Sequence, residues 1–195
     1  MLSKAYQQSS AISDAKLAVD PENMLLSRSP RKRLEFEPLR DAILAASGTL
    51  DLAQVGGRSQ DIFKPGAYRR SVYTFIERQN LPGTLRSFDL ASPDAHVPMR
   101  YRTTVPQQAL FLMNSPFLAG QAKAAMDRPE VKSARDDPER ISRIYRAVLG
   151  RVPSGKEAKL AIEYIATAPT AEGKLGPWEQ LVQTLLMSNE FAFVD

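Results

Sequence analysis

Asp94 and His96, an acid two residues from a histidine, carry the ingredients of proton-transfer chemistry. A carboxylate can orient an imidazole as a general base, and the pair then needs a nucleophile. Ser92 is close in the chain but has no Gly-x-Ser-x-Gly setting, so no triad is completed. His96 is the single histidine, and the chain has no cysteine. Those two counts exclude a multi-histidine metal centre, thiolate metal sites, a cysteine nucleophile, disulfides and the Cys-x-x-Cys-His attachment of c-type haem. Axial ligation of a haem by His96 rests on residue type alone. A phosphate-cradling glycine loop and a paired-carboxylate signature are also missing from the sequence. In its proline-rich loop His96 reads as a solvent-exposed residue.

Arginine is the more informative residue type. Arg69 and Arg70 precede residues 71–76, whose β-branched and aromatic side chains predict a strand. Alternation would put Arg70 on the face of Val72 and Thr74, and Arg69 on the face of Tyr73 and Phe75. Arg78, Arg100 and Arg102 follow. A guanidinium fork beside apolar residues holds a carboxylate at two points, and Asp41, Glu77 and Asp89 are the expected partners. The favoured reading is an ion-pair network tying loops to helices. The functional reading is an anion or acidic-sugar pocket built from Arg69, Arg70, Arg78, Asp89 and Arg100. A second basic run, Arg28 with Arg31-Lys32-Arg33, reads as a helix-entry segment whose charges pair with Glu35 and Glu37. It has the chemistry to take phosphate or sulfate, but no aromatics interleave it and the net charge is only +4. Nucleic acid is therefore not the expected partner.

The elements that must position these residues are mainly helical. A content of 43% hydrophobic and 25% charged residues fits a packed globular fold. Leu39, Ala42, Ile43 and Ala46 recur at helical spacing, Pro38 places the start near Glu37, and Gly48 supplies the stop. Asp20-Pro21-Glu22 has the order of a helix start: capping acid, proline in the first turn, acid at the positive end of the dipole. Residues 2–9 predict a short helix, and residues 50–66, with Gly56-Gly57 and Pro65, an irregular loop. Thr104 and Pro106 predict the cap and start of a helix whose 109–113 run is apolar all round, hence buried. Asn114 breaks it, and Ser115-Pro116 opens another with Leu118, Ala119, Ala122, Ala125 and Met126 on its stripe. Gln107, Gln108 and Asn114 are expected to fasten loop backbone.

The last third predicts three amphipathic helices. The first runs from Asp137-Pro138-Glu139 to Gly150, with Ile141, Ile144, Tyr145 and Val148 inward. A Ser154/Glu157 capping box opens the second, with Ala161, Tyr164, Ile165 and Ala168 inward. Trp178, Leu181, Val182, Leu185 and Leu186 line the third, after a turn over residues 173–177. The expected fold is mainly α: a helical domain with a short β element and a C-terminal three-helix bundle. Prolines and charges around residues 127–137 divide it into two loosely separable parts, 1–130 and 131–195.

Several strings, read in order, carry a resemblance. They are DPENMLLSR from Asp20, RKRLEFEPLRDAILAASG from Arg31, RRSVYTFIERQNLPGTLRSFD from Arg69, TTVPQQALFLMNSPF from Thr103, YRAVLGRVPSGKE from Tyr145, and the terminal SNEFAFVD. Together they resemble the planctomycete C-terminal domain of unknown function called PSD-one, over nearly the whole chain. The resemblance implies a parent protein in which this domain follows cytochrome-c-like domains and which is exported to the periplasm or cell envelope. Haem c would belong to a separate domain of that parent, with no cofactor in this chain. The family domain begins before the segment matching Leu2 to Ser10, so the resemblance also implies N-terminal truncation. It brings no catalytic residues with it. Residues 1–10 lack the apolar core of a signal peptide, and no stretch is long and apolar enough to span a membrane, which leaves the compartment of this chain unassigned. The expected function is non-catalytic docking or scaffolding against other domains of the parent, a cytochrome-c-like domain included. The alternatives are an accessory module of a haem-linked enzyme acting on polysaccharides, and a polyanion-binding module.

Overall fold

The computed structural model describes residues 3–4, 6–169 and 174–194. Within them the chain is mainly α, with ten helices and one two-stranded sheet. The predicted 2–9 helix and the turn over 173–177 lie partly outside the described residues. Helix α1 (Asp14–Val19) is capped by the Ser13 hydroxyl, which accepts from the Lys16 amide at 3.4 Å, and it buries no side chain. Helix α2 (Phe36–Ser47) begins the core, with Phe36, Leu39, Ile43 and Leu44 turned inward. It stops at Gly48, whose φ of 77° is the left-handed conformation that favours glycine. Arg128 closes the same end by donating to the carbonyls of Ala45 and Ala46 at 3.0 and 2.9 Å, a cation at the negative pole of the helix.

The remaining helices are α3 (Gly83–Ser87), α4 (Pro106–Asn114), α5 (Pro116–Met126), α6 (Pro129–Lys132), α7 (Asp137–Leu149), α8 (Gly155–Thr167), α9 (Pro177–Leu186) and α10 (Asn189–Ala192). α2 packs on α5 and α7, α5 also packs on α9, and α7, α8 and α9 touch one another. The buried apolar side chains form one continuous cluster running from Phe36 to Ala192. Phe36, Phe88 and Phe111, with ring centroids 5.0 to 6.2 Å apart, join the start of α2 to the end of α3 and to α4. α7 buries the four predicted side chains and ends at Gly150; α9 buries Leu181, Val182, Leu185 and Leu186. The capping box of Ser154 and Glu157 opens α8.

The β element sits elsewhere than residues 71–76. Strand β1 (Lys32–Arg33) pairs antiparallel with β2 (Phe193–Val194), Lys32 opposite Val194 and Arg33 opposite Phe193. Residues 71–73 instead form one turn of 3-10 helix, and Thr74 makes an isolated bridge to Gln60. Asp41 accepts the Ser71 amide at 2.7 Å and Arg40 donates to the Ser71 hydroxyl at 3.2 Å. These side chains hold the segment in a turn, and its β propensity finds no ladder to join.

Two further expectations change. Asp20 ends α1 instead of opening a helix, and its carboxylate accepts the amides of Met24 and Leu25 at 2.7 and 3.0 Å. The capping chemistry is spent on a loop. α4 is not buried all round: Val105 stands at its N-cap in place of Thr104, Gln108 and Leu112 are buried, and Leu110 and Met113 face solvent.

Candidate functional site

Between the first half of α2 and the chain from Arg70 to Ala91 lies a cleft of about 640 Å³. Glu37, Pro38 and Asp41 form its α2 wall, and Val72, Ile76, Leu85 and Leu90 give it an apolar lining. Arg70 and Arg100 supply its positive groups. Arg100 is locked in place, donating to Glu35 at 3.0 Å and to both oxygens of Glu37 at 3.0 and 2.9 Å. The hydrogen bond to Glu37 is the largest of several effects that raise its pKa. Arg102 adds a looser contact to Glu35 at 3.7 Å.

Asp41 lies between two arginines of opposite character. Arg40, only 3% exposed, approaches it at 3.9 Å and donates to the carbonyls of Ala67 and Arg69. Its guanidinium also lies 5.4 Å from the centre of the Phe117 ring. Desolvation pushes the Arg40 pKa down, with Asp41 opposing. Arg70 reaches Asp41 from outside, Nε to Oδ2 at 3.6 Å, and is 59% exposed. Its two Nη groups make no hydrogen bond to the described residues.

The structure brings two of the five predicted site residues, Arg70 and Arg100, into this cleft. Arg69 turns away: it donates to the carbonyls of Gln54, Gly56 and Arg58 and stacks on Tyr73 with 4.1 Å to the ring centre. Arg78 pairs with Asp94 at 2.7 Å on the surface, so the carboxylate nearest His96 in sequence is engaged by an arginine. Asp89, held at a φ of 57°, accepts from the Thr103 amide at 2.7 Å and from its hydroxyl. His96 is exposed. Among the described residues no group of three or more His, Cys, Asp or Glu is placed to hold a metal.

The basic run is also dispersed. Glu35 and Glu37 take Arg100 and Arg102 as partners, Arg33 donates to the buried Gln108, and Arg28 donates to the carbonyls of Asp20 and Pro21 at 2.8 and 2.7 Å. Gln108 in turn donates to the carbonyls of Ser87 and Thr103, fastening loop backbone as its burial requires. Arg28 belongs to a second feature, the 20–28 loop. The Asn23 side chain bonds both the amide and the carbonyl of Arg28, and Asn23 and Leu26 adopt φ of 56° and 52°. With Asp20 and Arg28 buried beneath, the loop holds Met24, Leu25 and Leu26 outward at 78, 73 and 60% exposure.

A family model described as PSD1, a protein of unknown function (DUF1553), matches residues 1–165. The chain belongs to the PSD1 family. No curated protein and no solved structure matches it. The matched part of this PSD1 chain contains the loop, the cleft and every helix from α1 to α7, while α9 and β2 follow it. Sequence reasoning missed Arg40 in this PSD1 chain, although the signal was present. Phe36, Leu39, Arg40 and Ile43 stand at i, i+3, i+4 and i+7, so the arginine occupies a core position of the α2 stripe.

Proposed function

We propose that this PSD1 chain is a non-catalytic docking domain that seats itself on a neighbouring domain of an exported planctomycete protein carrying cytochrome-c-like domains. The observation that supports this reading is the 20–28 loop. Three large apolar side chains stand in water there, on a backbone with a non-glycine residue, Leu26, in the left-handed region. Asp20, Asn23 and Arg28 bond the loop from beneath, so the apolar tip is presented by a fixed scaffold and loses little entropy on binding. Each such side chain yields roughly 1.5–3 kcal/mol when fully buried.

The partner is an apolar groove with an acidic rim. Lys16, Arg31 and Lys32 are exposed on either side of the loop in sequence, against Glu22 within it. Sedimentation velocity tests the pairing, with the chain mixed with the cytochrome-c-like domain and followed at the haem absorbance. Wild type should carry haem into a heavier species. Changing Met24, Leu25 and Leu26 together to serine should weaken that association by roughly tenfold or more, with melting unchanged because all three positions are exposed. A triple-serine chain that binds as tightly as wild type removes the loop from the interface. A wild-type chain that does not associate at about 100 µM, a weak affinity for a built interface, sinks the docking reading.

A further inference from the structure

We infer that the cleft between α2 and residues 70–91 binds a small monoanion consisting of one carboxylate on an apolar body. The four charged residues that line the cleft balance, Arg70 and Arg100 against Glu37 and Asp41, but the ion-pair network to which they belong does not. Arg40, Arg70, Arg100 and Arg102 face Asp41, Glu35 and Glu37, which leaves one positive charge over. Geometry assigns the surplus to Arg70. Glu35 and Glu37 are taken up by Arg100 and Arg102, and Asp41 accepts the Ser71 amide and has the buried Arg40 beside it. Arg70 shares Asp41 only at 3.6 Å, beyond hydrogen-bond length, and offers its outer Nη edge to solvent. A carboxylate meets such an edge at two points.

The rest of the cleft specifies the body of the ligand. Val72, Ile76 and Leu90 expose apolar surface into a volume of about 640 Å³, with Leu85 buried at its base. That volume lies in the usual range for small-molecule sites, and the lining has the usual form, apolar with few fixed polar groups. Glu37 and Asp41 also line the wall, and they disfavour a ligand with a second negative charge. The cleft shares no lining residue with the 20–28 loop, so the site stands apart from the docking reading.

Octanoate is a suitable probe and octanamide its uncharged counterpart, titrated into the whole chain at pH 7 and followed by amide NMR shifts. Octanoate should give saturable shifts at Ser71, Val72, Thr74 and Leu90. Octanamide should bind roughly tenfold more weakly, the loss of one charge-assisted contact at a partly exposed site. Arg70→Gln should lower octanoate affinity to the octanamide level, and Val72→Asp, at an exposed position on the lining, should abolish binding with the rest of the spectrum unchanged. Equal affinity for octanoate and octanamide overturns the inference, and this comparison needs no variant. So does the lack of saturable shifts at those four amides, or full octanoate affinity in Arg70→Gln.

Discussion

Arg40 and Arg70 sit on either side of one carboxylate in opposite circumstances. Arg40 is sealed in the core and satisfies two carbonyls, a hydroxyl and Asp41, so removing it strands several buried polar groups at once. Arg40→Ala should cost about 3–5 kcal/mol in denaturant unfolding. Arg70→Ala, at a solvent-exposed ion pair, should cost no more than about 1 kcal/mol. Equal losses would mean that the two arginines do not divide structural and surface roles as their burial implies. The Arg40 half of this division was legible in the sequence, from its core position on the α2 stripe, but the placement of the other arginines was not. Arg69, Arg70, Arg78 and Arg100 share a residue type, and only tertiary placement tells a cleft residue from a loop clamp. Asp89 likewise went to Thr103, fourteen residues on, where no local signal pointed.

At the level of elements, local chemistry was readable wherever the structure also used it locally. The stripes of α7 and α9 and the Ser154–Glu157 box follow from spacing alone, because helix ends and faces are set within a few residues. The same logic failed at Asp20, whose cap serves a turn, and at residues 71–76, where Asp41 and Arg40 outcompeted strand pairing. The box also has a pH signature. Arg151 donates to both oxygens of Glu157 at 2.9 and 2.6 Å, and the Ser154 amide donates as well, holding the Glu157 carboxyl down at about 2. A depressed carboxyl contributes stability that is present above its unfolded value of about 4.3 and lost as pH falls towards the folded value. Full linkage for such a depression is about 3 kcal/mol, and water around the Arg151 and Glu157 side chains screens it to about 1 kcal/mol. Glu157→Gln keeps a capping side chain and removes the charge. The gap in unfolding free energy between wild type and Glu157→Gln should be about 1 kcal/mol at pH 6 and should close between about pH 4.5 and pH 2. A gap that stays constant across that range would show that the carboxyl is not held down.

For the whole molecule, the decisive contacts are the ones farthest apart in sequence, which periodicity cannot register. β1 meets β2 through two residues on each side, too short a run to announce itself as strand, yet it joins the basic run to the C-terminal end of the chain. α5 packs on α9, α2 packs on α7, and the apolar cluster continues across residue 130 without a break. Two loosely separable parts, 1–130 and 131–195, would unfold in two steps, whereas a shared core couples them into one. The chain has a built-in reporter for this choice. Its single tryptophan, Trp178, is on α9 with Arg140 of α7 5.0 Å from its ring centre, so its fluorescence follows the C-terminal part, while far-ultraviolet circular dichroism follows all helices. The two signals should trace the same denaturant curve with one midpoint. A tryptophan transition displaced from the dichroism curve would mean that the α5–α9 and β1–β2 contacts do not carry cooperativity, and that the C-terminal helices form a unit of their own.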